Sequence, residues 1–130
     1  MSEVKIKDLM IKNVYTIGPE EKIALARLKM LRYGVGALPV VKEENILMGM
    51  LTLRDISLSG MNIGNLQVKD LMTKNNLITG TESMKLVEII DLMSKTGIQR
   101  IPIVDANGKL IGLMTQSVLI RSFRGLLKEN

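Results

Sequence analysis

The chain repeats itself. Lys7-Asp8-Leu9-Met10-Ile11-Lys12-Asn13 returns as Lys69-Asp70-Leu71-Met72-Thr73-Lys74-Asn75, 62 positions on. Beyond that block the offset is 63: Thr16 returns as Thr79, Lys22 as Lys85, Met30 as Met93 and Gly34 as Gly97. Pro39, Val41, Leu47, Gly49 and Thr52 return as Pro102, Val104, Leu110, Gly112 and Thr115. Conservative pairs fill the gaps, among them Val35/Ile98, Leu38/Ile101, Val40/Ile103, Met50/Leu113 and Ile56/Leu119. A stacked solenoid needs roughly three units to cover its apolar faces. Two copies therefore point to two similar halves, residues 1–62 and 63–130, packed face to face about a pseudo-twofold axis.

Each copy reads as β-α-β-β-α, an α/β (α+β) fold class. Val14-Tyr15-Thr16-Ile17 and Leu77-Ile78-Thr79 are short strand signals. Gly18-Pro19-Glu20-Glu21 is expected to open a helix, with Pro19 at the first helical position and acids in the first turn. Thr81-Glu82 takes that part in the second copy. The helices are expected to stop at Gly34 and Gly97. Ile23, Ala26 and Met30, and Leu86, Ile89, Ile90 and Met93, form the apolar stripes. Strand pairs follow, Leu38 to Val41 with Ile46 to Leu51, and Ile101 to Val104 with Leu110 to Met114. Asn107-Gly108 marks a hairpin turn in the second pair. Helices are expected after Thr52 and Thr115, and Ser57 to Asn65 is the connector.

Composition narrows the chemistry. There is no cysteine and no histidine in the 130 residues, which removes thiolate chemistry and the commonest general base and metal ligand. No carboxylate pair, metal-ligand cluster or nucleophile–base pair stands out, so no catalytic residue is assigned and the chain reads as a non-enzyme. The net charge is +5, but nine Lys/Arg fall in residues 1–62 and nine in 63–130, against seven and six acids. The excess is spread rather than gathered into a stripe, and Tyr15, Tyr33 and Phe123 are too few for a stacking platform. Nucleic acid is thus a secondary reading, resting on Arg121, Arg124 and Lys128 near the end. Those cations also suit a helix C-terminus. No apolar run approaches the ~20 residues of a membrane span. The first residues lack the layout of a signal peptide, and a cytoplasmic location is expected.

One turn carries chemistry. In Gly49-Met50-Leu51-Thr52-Leu53-Arg54-Asp55 the spacing of Thr52 and Asp55 is that of a capping box at a helix start. The same geometry offers backbone N–H groups and a positive helix end to an anion. A carboxylate there can accept two hydrogen bonds from a ribose diol. Arg54 beside it can reach a phosphate. Both readings stand on these residues alone.

The tandem repeat, the Lys-Asp-Leu-Met-x-Lys-Asn openings, the Gly34-Val35 … Leu38-Pro39-Val40-Val41 strand and the two strand–helix turns resemble the CBS domain family, named for cystathionine beta-synthase. The resemblance runs from about Val4 to Ile120. It implies a paired regulatory unit, a Bateman module, with two ligand clefts between the copies. AMP, ADP, ATP or S-adenosylmethionine is the expected occupant, and no other cofactor or metal. In the main cleft it implies Thr52 and Asp55 on the ribose, Arg54 toward phosphate and Met50 on the base. It adds Thr81, Leu86 and Ile98 near the base and Gly36 and Gln99 near the phosphate. Arg100, at a strand start, is a further phosphate candidate or a solvated charge. The second cleft would use Leu113, Thr115 and Ser117, with Gly18, Ile23 and Val35 as its far wall. It departs from the pattern, because Val118 stands where the acid belongs. The rival function is a protein-interaction or nucleic-acid module with unoccupied clefts. A homodimer is also expected, because Ala24, Leu28 and Leu31 with Leu119, Phe123, Leu126 and Leu127 exceed what one core uses.

Overall fold

The computed structural model describes residues 4–60 and 63–128, with the side chains of Leu126 and Lys128 outside that description. Its packing divides the chain into two compact units, Tyr15–Leu77 and Met1–Val14 with Ile78–Asn130. These units cut across the sequence repeats. The opening block of each repeat packs with the body of the other repeat.

In the unit Tyr15–Leu77, α1 (Ile23–Tyr33) leads to β1 (Ala37–Lys42), β2 (Ile46–Thr52), α2 (Leu53–Leu58) and the short α3 (Val68–Leu71). β1 and β2 form an antiparallel pair with an irregularity between Val40 and Val41. The core gathers Ile17, Ile23, Ala26, Met30, Leu38, Val40, Leu51, Ile56, Val68 and Met72. α1 ends at Gly34 with φ 65, a left-handed cap that a side chain would strain.

The other unit repeats the plan with α4 (Leu86–Thr96), β3 (Arg100–Val104), β4 (Leu110–Thr115) and α5 (Gln116–Lys128). Gly97, φ 75, caps α4. The irregularity recurs between Ile103 and Val104. The turn between the strands is closed by Asp105, whose Oδ1 accepts from the Asn107 and Lys109 amides, and Gly108 takes φ 82. Its core holds Ile6, Leu86, Ile89, Met93, Ile101, Ile103, Met114, Val118 and Leu119. Among the described residues no polar or charged side chain is buried, so both cores are apolar throughout.

The structure corrects three expectations. The first strand of each copy shrinks to a single parallel pairing, Ile17 with Val40 and Gly80 with Ile103. The helices start at Ile23 and Leu86, four or five residues later than expected, and Pro19 and Thr81-Glu82 sit in turns. The reason is competition for carbonyls. Pro19 and Glu21 accept from the Lys69 and Val68 amides at 2.9 and 2.8 Å, so they face α3 instead of starting a helix. Glu82 and Met84 accept in the same way from Lys7 and Ile6. Leu119 is not surplus apolar surface: it is 7% exposed and lies in the core.

The repeated Asp-Leu-Met block now has a physical meaning. Asp8 Oδ2 accepts from the Lys5 amide and Asp70 Oδ2 from the Gln67 amide, closing the first turn of each opening segment. The methionine then covers a glycine on a strand. A Cβ at Gly49 would lie 2.5 Å from the Thr73 carbonyl oxygen and 3.0 Å from Met72 Sδ. A Cβ at Gly112 would lie 2.4 Å from Met10 Sδ and 3.1 Å from the Ile11 carbonyl oxygen. Beside each glycine the backbones exchange two hydrogen bonds, Met50 with Thr73 and Leu113 with Ile11. Gly49→Ala should therefore lose about 1–3 kcal/mol of stability, because fixed backbone stands in the way. Gly112→Ala should lose less, because its nearest obstacle is a flexible side chain. Melting curves check both, at roughly 2–8 °C per kcal/mol, and equal melting temperatures for Gly49→Ala and the parent would exclude the close-packing account.

Candidate functional site

The Thr52–Asp55 turn is built by local chemistry. Thr52 ends β2 in an extended conformation and its Oγ1 accepts from the Asp55 amide at 3.1 Å. Asp55 Oδ2 accepts in return from the Thr52 amide at 2.9 Å. The capping box read from the spacing is therefore present. It occupies one carboxylate oxygen, and an ionised carboxylate has acceptor capacity to spare on the other. Asp55 and Thr52 are half-buried and Arg54 is exposed.

A second element, absent from the sequence reading, closes the turn. The Gly36 carbonyl accepts from the Leu53 amide at 2.9 Å. This bond brings Gly36, Thr52, Leu53 and Asp55 to one place at the end of the β1–β2 pair, where Ala37 faces Thr52 in register. It also uses the Leu53 amide, as the cap uses that of Asp55, so neither is left to hold an anion. Met50 is 7% exposed and carries the two backbone bonds to Thr73. An open groove of about 720 Å³ adjoins this place and is lined by Arg27, Leu28, Leu31, Val35, Gly36 and Leu53, among others. Ile23 is fully buried at the start of α1, Val35 is half-buried, and Gly18 belongs to the turn before the helix.

The other unit builds the matching turn with different residues. The Gln99 carbonyl accepts from the Gln116 amide at 2.9 Å, and Arg100 faces Thr115 in register. Thr115 Oγ1 accepts from the Val118 amide at 3.1 Å. Here the box is half made, because Val118 has no acceptor to return; its side chain is 6% exposed and joins the core instead. Leu113 is 8% exposed, Ser117 exposed and Arg100 half-buried. Thr81 is exposed, its amide donating to Met84 Sδ and its hydroxyl lying 3.4 Å from that of Ser83. Ser83 was not singled out by the sequence reading. Leu86 is 5% exposed within the core, Ile98 half-buried and Gln99 exposed.

Thus the structure assembles Gly36, Thr52 and Asp55 in one unit, and Gln99, Arg100 and Thr115 in the other. Ile23 and Leu86 serve first as core residues at the starts of α1 and α4. Removing a cap should cost stability without any ligand. Thr52→Ala and Thr115→Ala should each lose about 0.5–2 kcal/mol, as helix N-caps do. Asp55→Ala, which removes the return bond from the Thr52 amide, should also lose stability, because the half-buried Thr52 N–H is left without its acceptor. Urea unfolding of the three variants measures this, and a neutral Thr52→Ala would mean that the box contributes nothing.

Comparison with known proteins bears on what such paired turns are for. The CBS domain model matches residues 6–59 and again 68–125. The chain is 39% identical over 113 residues to the CBS domain-containing protein YhcV of Bacillus subtilis, covering 84% of this chain and 78% of that protein. It is 35% identical over 114 residues to inosine-5'-monophosphate dehydrogenase of Thermoplasma acidophilum, covering 86% of this chain but 22% of the dehydrogenase. Among solved structures, the CBS domain pair of MJ0100 in complex with 5'-methylthioadenosine and S-adenosyl-L-methionine superposes with a TM-score of 0.84 at 27% identity, over 94% of this chain and 97% of that one. CBSX2 in complex with AMP does so with a TM-score of 0.84 at 25% identity, with the same coverage of 94% and 97%. With both repeats matched, two small antiparallel pairs flanked by helices, and a stand-alone relative of similar extent, the chain is a tandem CBS domain pair and belongs to the CBS domain family.

Proposed function

We propose that this CBS pair is a ligand-sensing regulatory module that binds an adenosine-containing ligand, an adenine nucleotide or S-adenosylmethionine, and performs no reaction on it. The observation that carries the reading is the state of Asp55. One of its oxygens holds the helix cap, and the half-buried carboxylate keeps capacity for a ribose hydroxyl at the end of β2. The reading is supported by the superposition of the whole chain on CBS pairs described in complex with AMP and with S-adenosyl-L-methionine. In this reading Thr52 and Asp55 hold the ribose, Met50 packs on the base and Arg54 meets a phosphate. Gly36, whose carbonyl holds the Leu53 amide, completes the set in this unit. The weaker second site uses Leu113, Thr115, Ser117 and Arg100. The dehydrogenase activity of the relative belongs to a protein of which this chain spans about a fifth. For this chain we infer regulation alone, exerted on another protein and in the cytoplasm. Among the described residues no helix is long and apolar enough to cross a membrane.

The sites should be unequal. A ribose diol against Val118 loses water and gains no acceptor, which costs about 1–3 kcal/mol, or roughly ten- to a hundredfold in affinity. Calorimetry with AMP, ADP, ATP and S-adenosylmethionine should give one strong site. Asp55→Ala should abolish it and Val118→Asp should strengthen the weak one. Stabilisation should reach about 2.7 kcal/mol at a hundredfold excess over the dissociation constant. Two equal sites, or full affinity in Asp55→Ala, would reduce Asp55 to a helix cap. No binding of any of the four would favour a protein-interaction or nucleic-acid module.

Pairing of two copies is part of the same proposal. Leu28 is 58% and Leu31 81% exposed on α1, and Ile120 is 62% and Leu127 74% exposed on α5. Apolar helix faces of this kind are covered most simply by an isologous contact. Light scattering at micromolar concentration should give the mass of a dimer. A monomer mass would end this part of the proposal.

A further inference from the structure

We propose that residues 66–73, the opening segment of the second repeat, act as a strap whose attachment to β2 rises and falls with the order of the Thr52–Asp55 turn, making it the element through which that turn is read out. This rests on the ligand reading for its physiological use, but the coupling itself is a property of the empty protein.

The strap is fastened at both ends. At one end the Ile23 amide donates to the Leu66 carbonyl at 3.1 Å, and the Val68 and Lys69 amides donate to Glu21 and Pro19 at 2.8 and 2.9 Å. At the other, the Met50 amide donates to the Thr73 carbonyl at 3.0 Å and the Thr73 amide to the Met50 carbonyl at 2.8 Å. Met72, 9% exposed, is pressed over Gly49, where no side chain would fit. Met50 lies two residues before Thr52 on the same strand, with Leu51 fully buried between them. A strand segment that short moves as one piece, so whatever holds Thr52 also holds the Met50–Thr73 bonds. Coupling of this kind is reciprocal: loosening the strap must loosen the cap, and ordering the cap must tighten the strap. The strap is also the stretch after which the chain leaves this unit, at Leu77–Ile78. The other unit carries its own strap, with Ile11 on Leu113 and Met10 over Gly112. There Val118 offers no acceptor, so it serves as an internal control.

Amide hydrogen exchange on the full chain tests this in two arms. Without ligand, Met72→Ala and Thr73→Pro should each speed exchange of the Thr52 and Asp55 amides by roughly fivefold, the share of one backbone hydrogen bond. Thr73→Pro removes the N–H that reaches Met50, and Met72 with ψ 149 already has the extended backbone a following proline requires. With AMP as probe, the Thr73 and Met50 amides should slow while those of Ile11 and Leu113 change less. Unchanged Thr52 and Asp55 exchange in both variants, with residues 68–73 exchanging faster, would overturn the strap. So would AMP binding by calorimetry with no slowing at Thr73. Absence of AMP binding would count against the ligand reading and leave the first arm to decide the coupling.

Discussion

The two-bond contact between an opening segment and the middle of a strand holds each unit together. It needs three things at once: a glycine on the strand, a methionine to lie over it, and an amide and a carbonyl beside them that can pair in both directions. Gly49, Met72 and the Met50–Thr73 bonds supply these in one unit, and Gly112, Met10 and the Leu113–Ile11 bonds in the other. The strand pairs are only two strands wide. A lone two-stranded pair is marginal in water, so the docked segment, the single parallel bridge on the far edge and the covering helices make it a core. Because the opening of each repeat docks on the body of the other, neither copy is a self-sufficient domain.

The candidate site stands at the end of this arrangement. The same strand that carries the docked segment at Met50 ends at Thr52, and the helix that follows is started by a reciprocal pair of hydrogen bonds. The structural role of Asp55 therefore leaves room for the proposed ligand role, since the cap takes one oxygen. In the other unit the exchange of an acid for valine turns a polar side chain at the helix start into a core residue, and the cap survives on Thr115 alone. One substitution thus changes both the hydration and the hydrogen-bonding capacity of a turn whose backbone is otherwise the same.

Much of this was legible in the residues. The long helix and strand pair of each copy, the glycine caps at Gly34 and Gly97, the Asn107-Gly108 turn and the Thr52–Asp55 box all rest on contacts within a few residues. Such contacts are carried by spacing, so spacing reveals them. The helix starts were misplaced for the opposite reason. Pro19 and Glu21 look like a first turn, but their carbonyls are taken by amides nearly fifty residues on. The Gly36–Leu53 bond was likewise invisible, since any residue can supply a carbonyl.

By itself the sequence determined that there are two similar copies, that each contains a long helix, a strand pair and a following helix, and which turns can carry polar chemistry, because propensity, capping and turn geometry act over three or four positions. Tertiary structure alone decided which opening segment docks on which body. The two Lys-Asp-Leu-Met blocks are chemically alike and each would suit either glycine, so the choice rests on long-range pairing such as Ile11 with Leu113. It also decided why Gly49 and Gly112 are glycine. Neither has a left-handed φ, and what each requires is room for a methionine and a backbone brought from a distant part of the chain.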